Sequence, residues 1–352
     1  MKIQKFKQQK LMVCIGFLIT LVVFCIPALA KASETGTRTI TDMAGRKVVI
    51  SGPVKKIVTT FKPSTLCTLS LGLQKRLVGV DTSSKRDRLS LAVYPGIADV
   101  QGVGSKSMGI NFETLVFLKP DLVILYSQKD GLSLADRLTS IGIPAIVIFP
   151  ETFETIKESL RLIARATGEP ERTLAIEEQM NIITDLTKKR LAGLKEKDRK
   201  TGYFSSSIGI FSTTTGNMLQ DEIFNQAGIT NVSHHLKGYF QDISPEQLIE
   251  WNPDVMVLSQ HMKRSEVKAL DNKALKRINA IQNKIVYRCP SSLAPWDFPS
   301  PMSVLASLWL ACKVYPERFS DIDFQRKADD FHFQLFGKTL TQMGGKIDDT
   351  VY

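Results

Sequence analysis

A set of cationic and aromatic side chains falls in segments that follow short apolar runs. Lys62, Lys85, Arg86 and Lys106 lie in such segments in the first half of the chain, and His261 and Arg264 in the second. Lys129 and Lys263 occupy the same loops, and Phe61, Tyr126, Tyr239 and Trp296 stand beside them. A lone loop lysine is ordinarily a solvated charge. Several together with flat apolar walls suit an anionic, partly aromatic chelate, because ammonium and guanidinium groups form charge-assisted hydrogen bonds while rings cover its organic faces. Lys62 is the first candidate, since Pro63-Ser64 beside it open a helix whose exposed amides also favour an anion. Trp296 is the second, held between Pro295 and Pro299.

Other chemistries find less support. The chain has four histidines. His234 and His235 are adjacent and cannot share a face, and His332 sits among phenylalanines. No set of His and carboxylates suited to a bare zinc or manganese ion stands out, so metal ligands stay unassigned. Tyr126, Tyr239 or His261 could each ligate the iron of a chelate or haem. Gly102-Val-Gly-Ser-Lys-Ser107 fails the phosphate-loop pattern, because Ser105 rather than glycine precedes Lys106. No G-x-S-x-G, H-E-x-x-H or G-x-G-x-x-G is present. The reading is a binding protein rather than an enzyme, with no cofactor of its own.

The elements that must position these residues alternate. Lys56-Ile-Val-Thr-Thr60, Leu77-Val-Gly-Val80, Leu122-Val-Ile-Leu-Tyr126 and Ala145-Ile-Val-Ile-Phe149 read as buried strands separated by amphipathic helices. That alternation predicts a parallel α/β sheet covered on both faces. Thr201-Gly-Tyr-Phe204, Val255-Met-Val-Leu258 and Lys284-Ile-Val-Tyr287 repeat it. One segment recurs closely: Glu113-Thr-Leu-Val-Phe-Leu-Lys-Pro-Asp-Leu-Val-Ile-Leu is answered by Glu246-Gln-Leu-Ile-Glu-Trp-Asn-Pro-Asp-Val-Met-Val-Leu. Each reads as a short helix opened by Glu, stopped by Pro and continued into a strand. Two related Rossmann-like lobes follow, at 37–168 and 199–337. Residues 169–198 form a single long linking helix of roughly 40 Å, and 338–352 read as a frayed tail.

Export is written at the start. Four lysines precede the apolar run Leu11–Ile26, and Ala28-Leu29-Ala30 follows with small residues at cleavage spacing, so residues 1–32 read as a signal peptide. Ala30-Lys31-Ala32 offers a second cut. An uncleaved anchor helix is the alternative, and it would make a membrane-tethered sensor. Beyond residue 32 the chain holds 41 basic and 35 acidic residues, without the concentrated basic patch that nucleic-acid binding requires. Cys67, Cys289 and Cys312 show no pairing pattern, and Cys67 and Cys312 suit buried helix positions.

Together these features resemble the helical-backbone class of periplasmic binding proteins, which serve ABC importers. The resemblance rests on the opening Ile40-Thr-Asp-Met-Ala-Gly-Arg46, the two Glu-led segments, the linking helix and Pro295-Trp-Asp-Phe-Pro-Ser-Pro301. It implies a monomer with a ligand cleft between the lobes, exported to the periplasm or the cell surface. It also implies that Glu113 and Glu246, one per lobe, pair with arginines of the importer's permease. A ferric siderophore comes first among ligands, then haem or cobalamin, then an oxyanion such as molybdate. A related two-lobed architecture occurs in metallocluster and chelatase enzymes, which is the catalytic alternative.

Overall fold

The computed structural model describes residues 36–105, 109–127 and 131–351; residues 1–32, expected to be a signal peptide, and Lys106 and Lys129 lie outside them. A hairpin opens the chain, β1 (Thr37–Thr41) against β2 (Lys47–Ser51). The first lobe then runs β3 (Ile57–Thr59), α1 (Lys62–Ser70), β4 (Leu77–Val80), α2 (Arg88–Val93), β5 (Gln101–Gly102), the two short strands β6 (Gly104–Ser105) and β7 (Gly109–Ile110), α3 (Phe112–Phe117), β8 (Leu122–Tyr126), α4 (Gly131–Ser140), β9 (Ala145–Ile148) and α5 (Phe153–Thr167). Its sheet is parallel throughout, in the order β5-β4-β3-β8-β9. Each residue of β8 and β9 is buried, which is why these strands read as unbroken apolar runs.

After α6 (Arg172–Arg190), the second lobe runs β10 (Lys200–Ser205), β11 (Ser212–Thr213), α7 (Leu219–Gln226), β12 (Ile229–Asn231), β13 (Gln241–Asp242), α8 (Pro245–Trp251), β14 (Val255–Leu258), α9 (Arg264–Val267), α10 (Asn279–Gln282) and β15 (Val286–Arg288). Two helices follow, α11 (Ser303–Val314) and α12 (Phe324–Phe336). β12, β14 and β15 extend parallel from β10, while β11 and β13 form an antiparallel margin.

The sequence repeat is also a structural one. Asn111 caps α3 by accepting from Thr114 N, and Ser244 caps α8 by accepting from Gln247 N. The helices end at Lys119 (φ 49°) and Asn252 (φ 42°), each directly before its proline. Asp121 then accepts hydrogen bonds from Lys55 N and Lys56 N, both 2.8 Å, and Asp254 accepts from Thr201 N at 3.0 Å. Each Asp thereby ties the start of its own strand to the start of the central neighbouring strand. The Pro-Asp pair sets strand register as well as stopping a helix.

Helix α6 spans 19 residues, about 28 Å, shorter than the expected 40 Å because the helix closes at Leu191 and a turn follows. Its first half holds the first lobe: Arg172 donates to Leu71 O, and Glu177 pairs with Arg161 of α5. Its second half holds the second lobe, where Gln226 of α7 donates to Thr184 O and Arg190 pairs with Asp321. Ile176, Met180 and Ile183 are buried on its inner face, in a core cluster continuous from Ile57 to Trp309.

The segment after 337 is packed rather than frayed. Leu340 is fully buried, Asp349 accepts from Trp309 Nε1 at 2.8 Å and pairs with Lys313, and Arg88 reaches across from the first lobe to Gly344 O. Leu340 and Asp349 carry that docking, in a stretch whose glycines and polar residues give no periodic signal.

Candidate functional site

In the first sheet β3 lies between β4, its successor, and β8, reached by a crossover from the far edge. Connections leave β3 in opposite directions at this switch point, so a crevice opens beyond its carboxyl end. Phe61 and Lys62 follow β3 directly. β10 occupies the equivalent place in the second sheet, between β12 and β14.

Side chains from both lobes meet at this crevice. The Phe61 ring lies 5.1 Å from that of Tyr126 and 6.3 Å from that of Phe298, which belongs to the second half of the chain. His261 packs edge-on to Phe298 at 6.3 Å, and Lys62 Nζ sits 5.3 Å from the same ring. Tyr126 donates its hydroxyl hydrogen to the buried carboxylate of Glu151. Phe61, Lys62 and His261 are thus brought together around Phe298, with Tyr126 on the other side of Phe61.

Charge at the crevice is largely compensated. Lys62 Nζ lies 3.1 Å from Asp87 Oδ1. The other Asp87 oxygen accepts from Ser90 N and caps α2. Asp297 is buried, and that burial pushes its carboxyl up to about 6, against the opposing pull of Ser259 and the Lys62 cation. Burial, and secondarily the Lys62 cation, hold the His261 imidazole below its ordinary value. At neutral pH it is uncharged, a state in which a ring nitrogen can accept a hydrogen bond or bind a metal.

The remaining candidates occupy a range of settings. Trp296 is fully buried, packed on Phe324 at 5.7 Å and His332 at 6.4 Å, so it belongs to the core under α12 and presents no face to ligand. Its neighbours Asp297 and Phe298 turn to the crevice instead. Arg264 lines a separate groove with Arg288, Asp271 and Asp348. Lys85 and Arg86 occupy a 3-10 turn after β4, with Lys85 half-buried and Arg86 exposed. Tyr239 is 37% exposed, in the segment before β13. Glu113 and Glu246 are both exposed in the first turns of α3 and α8. Among the described residues no three His, Cys, Asp or Glu side chains group as a metal site.

Residues 57–293 match the periplasmic binding protein family, and that span includes both halves of the repeat and all of α6. The chain belongs to this family. One relative of this periplasmic binding protein is a molybdate-binding protein of Haemophilus influenzae, 24% identical over 346 residues, covering 91% of this chain and 96% of the relative. An ABC-transporter substrate-binding lipoprotein of Bacillus subtilis is 26% identical over 83% of this chain and 90% of its own length. A vitamin B12-binding protein of Vibrio campbellii is 26% identical over 60% of this chain and 73% of itself. Among solved structures, the Haemophilus influenzae protein bound to molybdate superposes with a TM-score of 0.76 at 22% identity, covering 86% of this chain and 98% of that one. Helicobacter pylori CeuE in a nickel–histidine complex superposes with the same score and identity, covering 88% and 98%. The fold is therefore that of the two-lobed binding proteins of ABC importers.

For a periplasmic binding protein of this kind, residue typing missed Asp87, Asp297, Glu151 and Phe298 at the crevice. Two signals were available. Asp87 stands three residues before Ser90, in N-cap position for α2, and Phe298 alternates with Trp296 along the same proline-bounded loop.

Proposed function

We propose that this protein captures a small metal complex, a ferric siderophore first among them, between its lobes and delivers it to an ABC importer. The observation that carries the reading is the pairing of Phe61, Lys62 and Tyr126 from one lobe with Phe298 and the neutral His261 from the other. Rings on both sides suit the organic shell of a chelate, and an uncharged imidazole suits the vacant coordination site of its metal. The near-cancellation of Lys62 by Asp87 and the buried Asp297 favours a complex of modest net charge over a compact polyanion. The relatives are solute-binding proteins, which accords with a non-catalytic role. Exposed Glu113 and Glu246 supply one docking carboxylate per lobe, each weak alone and effective as a pair.

A second reading, an oxyanion such as molybdate, is favoured by the relative that matches nearly the whole chain. Protein purified from its host, examined by absorbance and native mass spectrometry and then titrated with a ferric siderophore, cobalamin and molybdate, separates the two. A visible band together with tight ferric-chelate binding that weakens about tenfold in His261→Ala is the expected result. Tight molybdate binding without any chelate binding would replace this reading with the oxyanion one.

A further inference from the structure

Phe117 is 83% exposed, the most exposed large apolar side chain among the described residues. It lies on α3 four residues after Glu113, and i,i+4 residues share a helix face. The register of the repeat is fixed by burial: Leu115 and Leu248 are each fully covered, so Glu113 corresponds to Glu246 and Phe117 to Glu250. The two helices offer the same acid first and opposite chemistry one turn later, an aromatic ring on one lobe and a second carboxylate on the other. Inward-facing leucines at equal positions show that α3 and α8 present this face in the same way. A nearly fully exposed aromatic ring one turn from a charge proposed to bind a partner suits an interface anchor, since aromatic side chains dominate interface hot spots.

We infer that Phe117 is an apolar anchor for the importer's permease, inserting into a hydrophobic depression beside the basic residue that pairs with Glu113. This rests on the docking role proposed for Glu113 and Glu246 and adds to it. Phe117 on the first lobe against Glu250 on the second makes the two contacts unlike, so the occupant meets the first lobe with an apolar depression and the second with added positive charge. The occupant is the permease, because the ring shares its short helix with the docking carboxylate and lies about 6 Å along the axis from it.

The test uses the importer that this protein serves, purified and reconstituted in lipid vesicles, with the full exported chain as titrant. The concentration giving half-maximal stimulation of ATP hydrolysis is read for the natural protein, Phe117→Ala, Phe117→Leu and Glu113→Gln. Phe117→Ala should raise it about tenfold, and Phe117→Leu should recover most of the loss. Ligand affinity and melting temperature should stay unchanged in both, since the ring contacts neither cleft nor core. If Glu113→Gln weakens coupling while Phe117→Ala does not, the anchor is refuted and the carboxylate docking stands. If neither changes coupling, the docking face itself is misplaced and both fall.

Discussion

Lys62 Nζ stands 3.1 Å from Asp87 Oδ1, with 11% and 4% of the two side chains exposed. The lysine chosen from sequence as a ligand contact is thus already half of a nearly buried ion pair. Removing one partner strands the other, at a cost of about 3–5 kcal/mol. Lys62→Met should therefore lower stability by about 3 kcal/mol in urea titrations. Adding Asp87→Asn should recover part of the loss, because Asn still caps α2. An unchanged denaturation midpoint with binding lost would show instead that Lys62 works on the ligand alone.

Trp296 separates stability from binding in the opposite way. Its ring is fully buried against Phe324 and His332, and its Nε1 hydrogen is buried without an acceptor. Trp296→Ala should lose about 3–5 kcal/mol of stability by opening a cavity. Trp296→Phe should lose less, since it also removes an unpaired polar group. Calorimetric ligand affinity of the folded variants should match the natural protein. A tenfold drop for Trp296→Phe would return this residue to the site.

His332 should control the acid limb of stability. Burial pushes its imidazole down to about 4, against the hydrogen bond to Ala328 O and the nearby Asp329 carboxylate. The unfolded chain then binds a proton that the folded chain refuses, so this contribution is complete above pH ~6.5 and is lost as pH falls toward 4. The loss is about 3 kcal/mol at full protonation. In His332→Gln the urea midpoint should vary less across that window. An equally steep profile in the variant would assign the acid sensitivity to other groups.

Charge reversal at both Glu113 and Glu246 to Lys should abolish uptake in reconstituted vesicles and leave calorimetric ligand affinity unchanged. The two carboxylates are exposed at the first turns of α3 and α8. Normal uptake by the double variant would end the docking role.

Lobe motion should be small. Helix α6 is gripped by both lobes, Glu222 of α7 accepts from Phe153 N at the start of α5, and one apolar cluster runs through all three parts. X-ray scattering profiles with and without ligand should nearly overlay. A marked compaction on binding would mean that α6 bends or unwinds.

Local pattern determined much of this protein. Unbroken apolar runs such as Leu122–Tyr126 mark strands covered on both faces, and the Glu-led helix with its Pro-Asp stop marks the repeat, because both signals arise within one element from its own periodicity and backbone chemistry. Tertiary structure alone decided which side chains meet. Lys62 and Phe298 are 236 positions apart, and nothing local to either tells that a ring from the second half covers the lysine. Trp296 and Phe298 alternate on one loop, and which of them faces core and which faces crevice follows from where α12 packs. Asp349, in a stretch with no periodic signal, is held by Trp309 and Lys313 because the folded surface places a donor and a cation beside it. Composition and period govern what each segment becomes. Burial and charge compensation, which exist only after the lobes close on each other, govern which residues remain free to act.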